Sequence, residues 1–368
     1  EKAMEATFKL QSGVKGYRAL WKQIIKISVA DMKRNYDNLN VTFDLWKGES
    51  DVHDVIPGMV DYMKKEGYAY ISDGALVVDV KEDTDTKEIP PCMILKSDGA
   101  SLYNTTDLAT IMERMREYHP DQMIYLTDKR QDLYFEQVFR CARKTKLVDE
   151  DTELVHIGFG TVNGADGHAF KTRDGGVMNL EDMIKISKDK VRESIPEPSA
   201  EYDAAYIEKL VGQIAVGAMK FQDLKNNIAS GYVFEIDDFA KFEGKTGPYI
   251  QYAIARINSI LRKAGEIKPG KIVITNPEER DLALKLMQLN NIVLRTHEAK
   301  EPSIISDYAY TLAQAFSSFY NTSPIMSAAT PEQAASRLQI AKIVRDVLTL
   351  LLNLLGIEAP EVMLKKAE

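Results

Sequence analysis

Four short stretches of this 368-residue chain bring together side chains that could hold charged ligands. "FDLWKGES" contains Asp44 and Glu49, "SLYNTTDLA" contains Tyr103 and Asp107, "TDKRQDLYF" contains Gln131, and "FKTRDGG" sets Lys171 and Arg173 beside paired glycines. Carboxylates from separate segments suit a cation with planar N–H edges, such as a guanidinium, which carboxylates bind in bidentate fashion. Tyr103 and Asp107 are four residues apart and share a face if their helix begins early enough. A lysine and an arginine on a glycine-flanked loop suit a polyphosphate. Each feature also has an ordinary alternative. Glu49 can be a surface charge, Asp107 an acid serving the first turn of its helix, Gln131 a helix cap, and Lys171 with Arg173 a solvated turn.

The elements that would position these residues alternate between strand and helix as far as residue 195. Tyr17–Tyr36 has the period of an amphipathic helix, and "NVTFDLW" (Asn40–Trp46) alternates like a strand. Val52–Lys65 reads as helix, "ALVVDV" and "CMILKS" as strands, and Thr105–Tyr118 as a helix with Thr105 or Thr106 as N-cap. "QMIYLT" is a buried strand, Gln131–Lys144 a helix, "ELVHIGFGTV" a strand and Leu180–Ser194 a helix. This alternation predicts an α/β layered sheet. After the proline-containing break "SIPEPSAEYD" the period becomes helical throughout. Helices are expected at 202–218, 248–265, 277–296, 302–321 and 331–355, with Gly356 ending the last at a C′ position. The predicted division is therefore an α/β part, 1–195, and a helical part, 196–368.

Three glycine-rich patterns fail on closer reading. "EGKTGP" contains the Gly-Lys-Thr of a phosphate-binding P-loop, but the glycine required five positions before Gly244 is Phe239. "GFGTVNG" approximates a dinucleotide fingerprint, yet Asn163 occupies the place of the third glycine and no helix follows directly. "HIGF" looks like a damaged HIGH tetrapeptide, but it lies on the last strand of the α/β part, not between a first strand and its helix.

Composition bounds the remainder. The chain is 45% hydrophobic and 28% charged, as expected of a soluble globular protein. Its longest apolar run, Val347–Ile357, is shorter than the roughly 18 residues of a membrane span, so no membrane association is expected. Cys92 and Cys141 are far apart and fit no metal spacing, nor do the five histidines, which predicts no protein metal site and a reduced, cytoplasmic setting. The net charge of −8 argues against a non-specific nucleic-acid coat but leaves a specific complex open.

"LYNTTDLA", "GFGTVNGADGHAFKTRDGG", "GKTGPYIQYAIARINSIL", "LAQAFSSFYNTSPI" and "LLNLLGIEAPEVM" together resemble the arginyl-tRNA synthetases, a family of class I aminoacyl-tRNA synthetases. The resemblance runs in family order from about residue 40 to 363. It implies a Rossmann-type α/β catalytic domain followed by an all-α helical-bundle anticodon-binding domain. A HIGH segment would precede these motifs, and none stands before "YRALWKQ". The expectation is a chain corresponding to the second half of the catalytic fold plus the anticodon-binding domain, inactive alone for want of one wall of the ATP site.

The resemblance also implies the chemistry. The arginine carboxylate attacks the α-phosphate of ATP, and the arginyl group then passes to the 3′ end of tRNA(Arg). By matching motif, Glu49, Tyr103, Asp107 and Gln131 would bind L-arginine. His156, Gly158 and Phe159 would lie on the adenine side. Lys171, Thr172 and Arg173 would close over the phosphates, Lys171 and Arg173 supplying the catalytic cations in place of a KMSKS loop. Mg²⁺ would arrive with ATP. Tyr249, Tyr252, Arg256, Phe316, Tyr320, Asn321 and Met363 would meet the tRNA, with core packing the alternative for the tyrosines. A monomer is expected. The competing readings are a non-catalytic tRNA-binding module and another class I-like adenylating enzyme.

Overall fold

The computed structural model describes residues 2–11, 13–164, 167–168, 179–234 and 241–364. In chain order its helices are α1 (Lys2–Gln11), α2 (Lys15–Asn38), α3 (Ile56–Lys65), α4 (Tyr103–Tyr118), α5 (Asp132–Lys144), α6 (Leu180–Ser194), α7 (Ala204–Leu224), α8 (Gly247–Lys263), α9 (Pro277–Leu286), α10 (Leu289–Ala299), α11 (Ser303–Thr322) and α12 (Pro331–Leu354). The main strands are β1 (Tyr70–Ser72), β2 (Ala75–Val78), β3 (Cys92–Leu95), β4 (Gln122–Asp128) and β5 (Glu153–Phe159). Two compact units emerge: Phe43–Thr161 with Ile228–Tyr232, and Glu1–Thr42 with Val162–Asn227 and Val233–Glu368.

In the α/β unit, β1, β2 and β3 form an antiparallel sheet. The β1–β2 turn is Asp73-Gly74, both at positive φ (49° and 83°), the backbone a two-residue hairpin demands. β4 and β5 pair in parallel from Gln122↔Glu153 to Asp128↔Phe159, with α5 as the crossover that parallel strands require. Met59 and Met63 of α3, Ile94 of β3, Leu108 and Ile111 of α4, and Val138 and Cys141 of α5 are wholly buried between these elements.

Four local expectations change. "QMIYLT" forms β4 but is not a buried strand, with Ile124 48% and Leu126 58% exposed. Asn40–Trp46 joins no ladder among the described residues. Val41 N–H instead returns to Tyr36 O at the end of α2, and Phe43 packs edge-on against Trp46 at 5.5 Å. α4 begins at Tyr103, not Thr105, because Thr105 acts from within the first turn. Its hydroxyl accepts from Leu102 N–H at 3.0 Å and donates to Ile94 O at 2.5 Å, capping the helix and tying it to β3. The single helix expected over 277–296 breaks into α9 and α10, where Gln288 N–H bonds Lys285 O at 3.0 Å.

The helical unit is a bundle around Phe221, Phe316, Phe319, Leu312 and Leu348, all essentially inaccessible. Gly247, in the stretch that resembles a P-loop, has a packing role. A Cβ there would stand 2.4 Å from Gly217 O of α7. Thr246 caps α8 through Tyr249 N–H at 3.3 Å, and Pro248 lies in the first turn. Gly356, at φ 65°, ends α12 as expected. Among the described residues no helix is long and apolar enough to cross a membrane.

Candidate functional site

The stretch "YNTTD" opens α4, and successive side chains serve different neighbours. Tyr103 is 71% exposed. Asn104 is buried with its amide 3.5 Å from Cys92 Sγ, and Thr105 holds β3. Thr106 Oγ1 lies 2.9 Å from Glu49 Oε1 and 3.0 Å from Tyr103 O. Asp107 Oδ2 accepts the hydroxyl of Tyr134. Because the helix begins at Tyr103, Tyr103 and Asp107 lie one turn apart, as their spacing requires.

Glu49 opens a 3₁₀ turn, Glu49–Val52, rather than following a strand. Two residues earlier, Lys47 Nζ bridges Glu113 at 2.8 Å and Glu117 at 3.1 Å on the same α4. The hydrogen bonds that Lys47 donates to those carboxylates push its pKa upward. The loop carrying Glu49 is thus fastened to α4 at two points. Burial raises the Asp107 pKa, and the charge of Glu49 adds to it, while the Tyr134 hydroxyl and Arg114 oppose the rise. Asp107 and Glu49 are therefore electrostatically coupled carboxylates in one cluster, which a cationic ligand would relieve.

Tyr134 stands in the first turn of α5, so its bond to Asp107, one turn into α4, joins the N-terminal parts of two helices. That junction lies beyond the C-terminal end of β4, the end at which α/β sheets bind ligands. Gln131 is also there, exposed in the N-cap position of α5, and its side chain makes no cap hydrogen bond among the described residues. The capping alternative for Gln131 is not what the structure shows.

His156 of β5 is already engaged on both ring nitrogens. Nε2 is 2.8 Å from Thr127 Oγ1, Nδ1 is 3.1 Å from Asp132 Oδ1, and the ring stacks on Phe135 at 4.6 Å. Gly158 passes the Lys129–Gln131 turn closely, and Phe159 is 40% exposed at the strand end. A nearby acid, Asp128, is held at a pKa of about 2 by Arg130. Lys171, Thr172 and Arg173 lie outside the described residues.

In the helical unit, Tyr249, Tyr252, Arg256 and Phe316 line one cleft of about 270 Å³, together with Phe242 and Glu243. Arg256 lies over the Tyr320 ring at 4.6 Å, and Tyr320 stacks on Phe316 at 6.0 Å. Tyr249 also packs against Tyr310 at 5.5 Å, and Phe316 is only 1% exposed. These two belong to the core as well as to the cleft, whereas Tyr252 is 40% exposed. Asn321 is exposed beside Tyr320. Met363 packs with Phe242 on a separate apolar cluster around Leu210 and Ile214.

Sequence reasoning missed Thr106, Tyr134 and Lys47. Thr106 lies inside a quoted motif, and its place between Tyr103 and Asp107 was the available signal. Nothing in the sequence paired Tyr134 with Asp107, since the two are 27 residues apart.

Residues 1–236 match the family described as "tRNA synthetases class I (R), catalytic domain", and residues 250–363 match "DALR anticodon binding domain". The chain is 50% identical over 375 residues to the arginine–tRNA ligase of Agathobacter rectalis, covering 99% of this chain and 63% of that protein. It is also 50% identical to the corresponding protein of Alkaliphilus oremlandii, covering 99% of this chain and 62% of the relative. It thus spans less than two thirds of the length of these relatives. The crystal structure of the arginyl-tRNA synthetase of Plasmodium falciparum, 24% identical, superposes with a TM-score of 0.83 over 98% of this chain and 62% of that one. That likeness establishes the fold, a class I catalytic domain followed by an all-helical anticodon-binding domain. The chain belongs to the class I arginyl-tRNA synthetase family.

Proposed function

We propose that this chain supplies the arginine pocket and the anticodon-binding part of an arginine–tRNA ligase. In this reading, L-arginine is activated by ATP and then transferred to tRNA(Arg). The observation that carries it is the pair of carboxylates, Asp107 of α4 and Glu49 of the 3₁₀ turn held to α4 by Thr106. Two neighbouring carboxylates, neither of them in an ion pair with a lysine or arginine among the described residues, suit a guanidinium better than a neutral or acidic side chain. Tyr103 adds an exposed phenol one turn from Asp107, and exposed Gln131, whose side chain makes no cap hydrogen bond among the described residues, offers its amide to the amino-acid backbone.

ATP is assigned to the strand end beside Phe159 and Gly158. His156 acts by bracing that strand, and Mg²⁺ travels with the nucleotide. Lys171, Thr172 and Arg173 would close on the triphosphate, where positioned cations stabilise the charge of the pentavalent phosphate. Residues 1–195 are assigned to the catalytic part and 196–368 to tRNA binding. There Tyr252 and the Arg256–Tyr320 pair offer a stacking and phosphate face in the cleft that Tyr249 and Phe316 also line. Asn321, next to Tyr320, and Met363, on the separate cluster around Leu210 and Ile214, are assigned to tRNA contacts as well. A monomer working in the cytoplasm fits this role. Arginine-dependent pyrophosphate–ATP exchange by the complete gene product, compared with lysine and citrulline, tests the reading. Exchange with arginine alone supports it, and exchange driven by another amino acid overturns it.

A further inference from the structure

We propose that Thr106 and Tyr134 are positioning residues of the arginine pocket, each giving its hydroxyl proton to one oxygen of one carboxylate and leaving the other oxygen for the guanidinium. The inference rests on the pocket being an arginine site and adds how that site is kept ready while empty. Thr106 is buried on α4, so the helix fixes where its hydroxyl points. A hydroxyl has one proton, and Thr106 Oγ1 has two acceptors in reach, Glu49 Oε1 at 2.9 Å and Tyr103 O at 3.0 Å. A carboxylate oxygen accepts more strongly than a backbone carbonyl, so the Thr106 hydroxyl donates its hydrogen bond to Glu49. Tyr134 delivers its proton to Asp107 Oδ2 from a different helix. Each carboxylate thus has one oxygen engaged by a neutral donor.

The choice of donor matters chemically. A lysine or arginine would satisfy these carboxylates more fully, but it would compete with the incoming cation. Removing the donors would leave two coupled carboxylates free to turn apart, and binding would then include the expense of ordering them. Hydroxyls orient the acids without neutralising them. Thr106 and Tyr134 therefore act through Glu49 and Asp107, not on the ligand itself.

Arginine KM, ATP KM and kcat in pyrophosphate–ATP exchange by the complete gene product test this. Thr106→Val and Tyr134→Phe should each raise the arginine KM about tenfold, the effect of losing one hydrogen bond to a charged group, with ATP KM unchanged. Thr106→Ser should restore the wild-type value. In a Glu49→Gln background Thr106→Val should add less than about twofold, and Tyr134→Phe should add as little to Asp107→Asn. Full, independent effects in those backgrounds would overturn the proposal, as would losses confined to kcat that serine does not rescue. Wild-type protein inert with arginine would instead remove the arginine reading, and this inference with it.

Discussion

Gly158 of β5 faces the backbone of Lys129 so closely that a Cβ would stand 2.7 Å from Lys129 Cα and 2.9 Å from Asp132 Oδ1. That contact seats the Lys129–Gln131 turn against the strand and so sets where Gln131 emerges. Gly158→Ala should destabilise the protein by about 1–3 kcal/mol, the usual penalty of overpacking. It should also raise the arginine KM, because the turn must shift. Urea unfolding and exchange kinetics on the same preparation check both outcomes.

The Asp107 carboxyl is held above its ordinary pKa by burial, opposed by Tyr134, raised further by Glu49 on its 3₁₀ turn, and lowered by Arg114 on α4; Tyr125 on β4 also feels its charge. An acid whose folded pKa is raised contributes stability below its unfolded pKa and loses it as pH rises through the folded value. Asp107→Asn should therefore melt higher than wild type at pH 8, with the gap closing as pH falls through the raised folded value and gone below about 4. Saturating arginine should stabilise the wild type selectively and narrow the gap at pH 8. A gap independent of pH would contradict this assignment.

Glu279 of α9 is wholly buried and paired with Arg337 of α12 at 2.7 Å. Burial opposes its charge, but Thr275 N–H at 2.6 Å, Thr275 Oγ1 at 2.9 Å and Arg337 outweigh that and lower its pKa. With the folded value depressed, the pair's stabilisation is present above the unfolded glutamate pKa and is lost as pH falls through the folded one. Arg337→Met should destabilise the bundle by about 3–5 kcal/mol at pH 7 by stranding the carboxylate. The double variant with Glu279→Leu should recover part of that loss in urea titrations.

Arg256, stacked on Tyr320, is the cation of the helical cleft that the tRNA reading uses most directly. Arg256→Ala should weaken tRNA(Arg) binding and reduce the slope of log affinity against log salt by about one phosphate contact. Arginine-dependent exchange without tRNA should not change. Filter binding across a salt series reads the first effect, and the exchange assay reads the second.

Much of this molecule is legible from its sequence because local signals and tertiary structure agree. Asp203, Thr246, Asn276 and Thr330 each cap a helix through a side-chain oxygen, and the apolar period of α12 matches its buried face. Asn40–Trp46 misleads for the opposite reason, since alternation describes a strand only when a neighbouring strand completes its hydrogen bonds. Glu49 and Asp107 could be nominated from residue type and motif, but the hydroxyls that hold them could not. The Thr106–Glu49 contact spans 57 residues and exists only once α4 and the Glu49 turn are packed together. "HIGF" becomes interpretable only in three dimensions, with His156 bonded on both sides and Gly158 chosen for close approach.

The most direct test of the central claim is the arginine KM of the Asp107→Asn variant of the complete gene product. The carboxylate pair predicts a rise of at least about tenfold at pH 7.5, the worth of one charged hydrogen bond, with the ATP KM unchanged. An arginine KM equal to that of the wild type would mean that Asp107 does not hold the guanidinium, and the pocket described here would be wrong.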